Sequence, residues 1–165
     1  MKSPSLDFFE MLRVLSDHKV AHIVVGGVCG VLHGAPITTY DLDVVRATDT
    51  ENIAKLMSAL EDLDGYSRLH QKKIRPDASH LKAPGHLLLQ TRFGHLDLLG
   101  TIGAGRDYQY LRDHTVTGTI RGISFQMLDL ETLIRIKEET GREKDHMVLP
   151  ILRATLEERP KNETN

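Results

Sequence analysis

Apolar residues in this chain recur in two rhythms, and the switches between them mark out its elements. Leu6, Phe9, Leu12 and Leu15 repeat at helical spacing, and Ser3-Pro4 ahead of them supplies an N-cap and a first-turn proline, so a helix is predicted there. "AHIVVGG" is a short unbroken apolar run, which predicts a buried strand stopped by Gly26-Gly27, and "VCGVLHG" fits a short helix ended by Gly34-Ala35-Pro36. "DLDVV" predicts the next strand. Ile53, Leu56, Met57 and Leu60 return to helical spacing behind Thr48-x-x-Glu51, a capping-box pattern, and Asp64-Gly65 ends that helix near Leu63.

Residues 66–85 are polar, basic and irregular, with Pro76 and Pro84. "HLLLQT" and "GHLDLLG" predict two strands joined as a hairpin at Arg92-Phe93-Gly94. Glycines at 100, 103 and 105 mark a loop, "YQYLRD" a helical turn, and "HTVTGTIRGISFQML" two further strands. Asp129 is placed to cap a helix through about Thr140, and a last helix spans about Arg142 to Glu158, kinked or restarted at Pro150. Residues 1–158 read as a single domain, with 159–165 as a disordered tail.

Composition narrows the class. A chain of 165 residues, 40% hydrophobic and 27% charged, has the length and apolar content for one packed globular core. Its formal net charge of -2 provides no overall basic field for gripping nucleic acid, so any such contact must come from a local patch. One cysteine, Cys29, rules out a disulfide framework and makes a reducing cytoplasm the expected home; no apolar run reaches membrane-spanning length.

The chemistry is concentrated in carboxylates that break otherwise apolar strands. Asp41 and Asp43 share one face of their predicted strand, while Leu42 and Val44 face the core. Two neighbouring carboxylates repel, and each resists burial unless it is paired or binds a cation. Asp97 is a third acid in an apolar run, and the three converge if the strands are neighbours. Oxygen donors of this kind suit a hard cation, Mg2+ or Mn2+, shared with substrate phosphates. Asp-x-Asp alone is common by chance at solvated strand ends; the third acid and the upstream glycines strengthen the metal reading. Gly26-Gly27 stands where a strand hands over to a helix, which fits either a tight turn requiring positive φ or a cradle of backbone N–H groups for phosphate.

Gly26-Gly27, Thr39-Tyr40-Asp41-Leu42-Asp43 and Asp97, in that order, resemble the signature of the polymerase-β-type nucleotidyltransferase superfamily. "HGAPITTYDLD" and "LIRIKEETGREKDHMVLPILRATLEE" are similar to the bacterial branch that holds AbiEii-type toxins and stand-alone minimal nucleotidyltransferases. The resemblance implies an α/β (α+β) fold, with a small mixed sheet, helices mainly on one face and a C-terminal helical pair. It implies Mg2+-dependent transfer of a nucleotide from an NTP to an acceptor hydroxyl on RNA, protein or a small molecule. Asp41, Asp43 and Asp97 would be the catalytic and metal-binding acids, Asp97 on a second metal or as general base. Gly26, Gly27 and Thr39 would contact the nucleotide. An antitoxin partner protein or a homo-oligomer would also fit that branch. One departure stands out: relatives often carry arginine four residues before the first Asp, where this chain has Ile37. That departure favours an alternative, a catalytically silent nucleotide-binding module of the same fold.

Two lysines fall on apolar stripes. Leu130, Leu133, Ile134 and Lys137 follow i, i+3, i+4, i+7, and Lys144 precedes the stripe of Val148, Ile151, Leu152, Thr155 and Leu156 by one turn. Each must snorkel to water or find an anion, and the resemblance implies substrate phosphate as that anion. Asp145 either orients Lys144 or is a solvated acid. Cys29 and His33 have an i, i+4 spacing that zinc could use, but without a second ligand pair a structural role is expected. His95 shares a strand face with Asp97. Arg68, Lys72, Lys73, Arg75 and Lys82 form a basic segment that either steers a polyanionic acceptor or is a solvated loop.

Overall fold

A computed structural model of the chain describes residues 6–160, and its centre is a seven-stranded mixed sheet. The elements run α1 (Phe8–Asp17), β1 (His22–Val25), α2 (Gly26–Leu32), β2 (Asp41–Arg46), α3 (Thr50–Asp62), β3 (Tyr66–Ser67), α4 (Ala78–Lys82), β4 (Leu87–Thr91) and β5 (Gly94–Leu99). They continue with β6 (Thr101–Ile102), β7 (Arg106–Asp107), α5 (Tyr108–Leu111), β8 (Thr115–Ile120), β9 (Ile123–Leu128), α6 (Leu130–Thr140) and α7 (Glu143–Glu157). The sheet order is β3-β4-β5-β2-β1-β9-β8, with β6 and β7 forming a separate small hairpin.

β1 and β2 are antiparallel, as are β4–β5 and β8–β9, whereas β2–β5 and β1–β9 are parallel across longer crossovers. One face of the central strands carries Leu42, Val44, Leu96, Leu98 and Leu89, all buried in a core shared with Met11, Leu12 and Leu15 of α1, Leu56 and Leu60 of α3 and Leu63 just after it. Alternation therefore sends Asp41, Asp43, His95 and Asp97 to the opposite face. There α2 lies against β2, and α6 packs on both α2 and the final helix α7.

Several element ends differ from the sequence expectation. The expected first cap, Ser3, lies outside the described residues; α1 begins at Phe8 with Asp7 as its cap, its side chain accepting from the Glu10 N–H. α3 is capped by Asp49 rather than Thr48, because the Asp49 carboxylate accepts from the Asn52 N–H at 2.9 Å. The irregular 66–85 segment contains β3 and α4, the latter closed by a reciprocal Asp77–His80 capping box. Pro150 does not restart the last helix: α7 runs unbroken through it, with the proline on its exposed side. The expected tail falls largely on residues 161–165, outside the described residues, while Arg159 lies within hydrogen-bond distance of the His33 ring at 2.6 Å. Among the described residues no helix is long and apolar enough to cross a membrane.

Candidate active site

The β2–β5 register places Asp43 directly opposite Asp97 and Asp41 opposite His95. One carboxylate oxygen from each of Asp41, Asp43 and Asp97 lies within 4.8 Å of the others. Asp97 is only 9% exposed, and Asp43 is half-buried. Burial pushes the Asp43 carboxyl up to about 7, with further upward pressure from Asp97 and Asp41 and a smaller opposing pull from Lys144. An oxygen-only donor set this compact fits a hard divalent ion such as Mg2+ or Mn2+ and offers nothing to a thiophilic one.

The glycine pair is explained by close approach. Gly26 has φ +68, and a Cβ there would fall 2.4 Å from Asp43 Oδ2; a Cβ on Gly27 would fall 2.6 Å from Thr39 Oγ1. Only glycine lets the start of α2 pass this near β2. Thr39 itself donates to the Asp41 carbonyl at 3.2 Å, pinning the entry to the strand. Ile37 sits where its Cδ1 would be 3.0 Å from a Cβ on Gly30, so position 37 is an apolar contact on α2.

Beside the acids opens a pocket of about 340 Å³. Leu88, Leu99, Leu133 and Ile136 give it apolar walls, while Gly26 and Asp43 border it on the acid side and Lys137, Arg142 and Lys144 supply positive charge. The structure thus brings together Gly26, the three acids and both lysines expected from sequence. Lys137 does not snorkel freely: its Nζ donates to Asp145 Oδ1 at 3.2 Å, and Thr140 Oγ1 donates to the other oxygen of Asp145 at 3.1 Å. Asp145 is 4% exposed, so it is neither a solvated acid nor the partner of Lys144; it is the buried counter-ion of Lys137.

The basic segment is largely spoken for. Arg68 Nη1 donates to Asp97 Oδ1 at 2.6 Å and to the Leu89 carbonyl at 3.2 Å, and Lys73 and Arg75 both pair with Asp64. Arg68 is the site residue that sequence reasoning missed, since nothing in the spacing of an irregular segment indicates which charge returns to the sheet. His95 was readable from its i−2 position to Asp97, and its Nδ1 lies 3.1 Å from Asp41 Oδ1. Cys29 and His33 both reach the Leu128 carbonyl, and burial raises the Cys29 thiol to about 12, consistent with a structural pair.

The fold is that of nucleotidyltransferase structures. A Thermotoga maritima protein provisionally assigned as a nucleotidyltransferase superposes with a TM-score of 0.56 at 19% identity, over 92% of this chain and 91% of its own. The lincosamide antibiotic adenylyltransferase LnuA, in its lincomycin-bound form, gives 0.63 at 17% identity, over 93% and 99%. The antibiotic-resistance factor ANT(2'')-Ia gives 0.57 at 14%, over 90% and 82%. No protein-family model matches the sequence, and comparison with curated protein sequences gives no match either.

Proposed function

We propose that the protein is a metal-dependent nucleotidyltransferase that moves an NMP from an NTP to an acceptor hydroxyl. The observation that carries this reading is the convergence of Asp41, Asp43 and Asp97 at the edge of a pocket bordered by Lys137, Arg142 and Lys144. In this reading the apolar walls hold the nucleoside, and the cationic side chains with the Gly26-Gly27 turn and Thr39 hold the triphosphate. The three acids would hold Mg2+ or Mn2+, which when bound neutralises phosphate charge and lowers the pKa of a coordinated hydroxyl. In this reading the acceptor oxygen forms its bond to the α-phosphorus as pyrophosphate leaves, and Asp97 would take the hydroxyl proton or face a second cation. Positioning and charge neutralisation account for most of such a rate enhancement.

A small-molecule acceptor is favoured over RNA. Of the five basic residues that would steer a polyanion, Arg68, Lys73 and Arg75 are already paired with Asp97 and Asp64. LnuA, an adenylyltransferase with a bound antibiotic, is a precedent for a small acceptor on this fold. The toxin-like role implied by the sequence resemblance would use the same site, with a partner protein quenching it. The silent nucleotide-binding alternative rests on Ile37, which offers no charge to a phosphate.

Incubating the protein with four α-labelled NTPs, Mg2+ and separate RNA and small-molecule fractions of a cell extract tests the reading. Label should pass to an acceptor in the small-molecule fraction with wild type and not with Asp43→Asn. Nucleotide binding without turnover in any fraction would establish the silent module instead, and loss of both would discard the site.

A further inference from the structure

Three acids in one site leave open what balances their charge before substrate arrives. Asp43 meets Asp97 across β2–β5, Asp97 meets Leu88 across β5–β4, and the Arg68 N–H donates to the Leu88 carbonyl at 3.0 Å. Arg68 therefore lies on the same cross-sheet row as the acids, one strand beyond Leu88, and its side chain spans that leucine to reach Asp97. The contact is short, 2.6 Å, and one oxygen of Asp97 is engaged by it. Among the described residues Arg68 is the only ion-pair partner of Asp97. Its side chain keeps 21% exposure and sits at the end of a two-residue edge strand, so it can swing to water at small cost in packing.

Resting on the nucleotidyltransferase reading, we infer that Arg68 is a built-in cation that holds Asp97 in the metal-free site and competes with a divalent ion for it. A guanidinium and a divalent ion cannot both draw fully on one carboxylate, because each raises the energy of the other at this distance. The competition is reciprocal: whatever Arg68 costs the ion, the ion costs the Arg68–Asp97 pair. Arg68 thereby sets how readily Asp97 joins Asp41 and Asp43 around the ion, and it keeps the carboxylate aimed while the ion is away.

The test is Mn2+ titration by calorimetry, without nucleotide, on wild type, Arg68→Met, Arg68→Lys, Asp97→Asn and the Arg68→Met/Asp97→Asn double variant, with melting temperatures measured in EDTA and in saturating Mn2+. Arg68→Met should bind Mn2+ on the order of tenfold more tightly than wild type, and Arg68→Lys should fall between them. The gain should vanish in the Asp97→Asn background. Arg68→Met should melt below wild type in EDTA and close that gap in Mn2+. Should Arg68→Met not fold, Arg68→Lys against wild type carries the same comparison. Unchanged or weaker Mn2+ affinity, with a melting deficit that persists in Mn2+, would make Arg68 a structural tie for β3 and overturn the inference while leaving the metal site standing. Absence of Mn2+ binding in every variant would overturn this inference together with the reading it rests on.

Discussion

Two charged residues three positions apart on β2 meet opposite fates. Arg46 is 1% exposed and has no carboxylate partner among the described residues. Its guanidinium is nonetheless satisfied: it donates to the carbonyls of Leu81, Leu98, Ala83 and Gly85 at 2.7–3.1 Å, fastening the 81–85 segment to the sheet. Asp43, on the other face, is surrounded by acids and receives no such set of donors; its carboxyl is raised to about 7. A buried charge that the backbone has fully solvated is architecture. Under the proposed function, a half-buried charge left in a frustrated cluster beside an open pocket is held for a cation that arrives from outside. Burial alone does not separate the two roles, since the structural Arg46 is the more deeply buried of the two.

The largest expected effect breaks the functional side. Asp43→Asn should lower label transfer from NTP by on the order of a thousandfold, while melting at pH 8 in EDTA should occur about 2–4 °C higher than wild type as repulsion is relieved. A variant that is active, or that melts lower in EDTA, would place Asp43 with the architectural charges. The structural side is broken by Arg46→Met, which strips the donor from four carbonyls. That change should cost roughly 3 kcal/mol or more in denaturant unfolding and leave Mn2+ affinity in the folded fraction unaltered.

Gly26→Ala probes the glycine turn packed against Asp43. A methyl group 2.4 Å from Asp43 Oδ2 at a positive φ should cost about 1–3 kcal/mol and weaken Mn2+ binding, both read in one calorimetric titration and one melt. The pH dependence sharpens the comparison further. The Asp43 carboxyl is raised on folding, so its contribution to stability is present below its ordinary value and is lost as pH climbs through about 7. In EDTA the protein should therefore melt progressively lower from pH 5 to pH 8, and saturating Mn2+ should flatten the slope; Asp43→Asn should lack that component.

A comparable effect on stability is expected at Lys137. Because its partner Asp145 is buried, Lys137→Met should cost about 1–3 kcal/mol by leaving a carboxylate unpaired, besides weakening NTP binding. Adding Asp145→Asn should recover stability and not affinity. Recovery of both would show that Lys137 serves only Asp145.

Local signals in the sequence went a long way. The alternation of "DLDVV" required Asp41 and Asp43 to share a face, and Asp129 followed by a helical stripe required a capped α6, as found. Where two equivalent local signals stood side by side, sequence was not enough: Thr48 and Asp49 can both cap α3, and the backbone path into the helix chose Asp49. Pro150 is a helix breaker by rule, yet α7 carries it on an exposed face and runs on, its inward side anchored by Leu149 and Leu152.

What the amino-acid order determined by itself was periodicity, and through it the elements, the acid-bearing face of β2 and the place of Lys137 on the inward stripe of α6; Lys144, expected on the stripe of the last helix, is instead exposed and borders the pocket. The tertiary structure alone decided which distant groups meet. The β2–β5 register set Asp97 level with Asp43, Arg68 returned across Leu88 to Asp97, and Asp145 turned inward to Lys137. Periodicity is a property of neighbours along the chain, fixed by backbone geometry. Register and counter-ion choice are settled between strands and helices far apart in sequence, where packing of the apolar face slides each element to its place and the charged groups pair with whatever that places within reach.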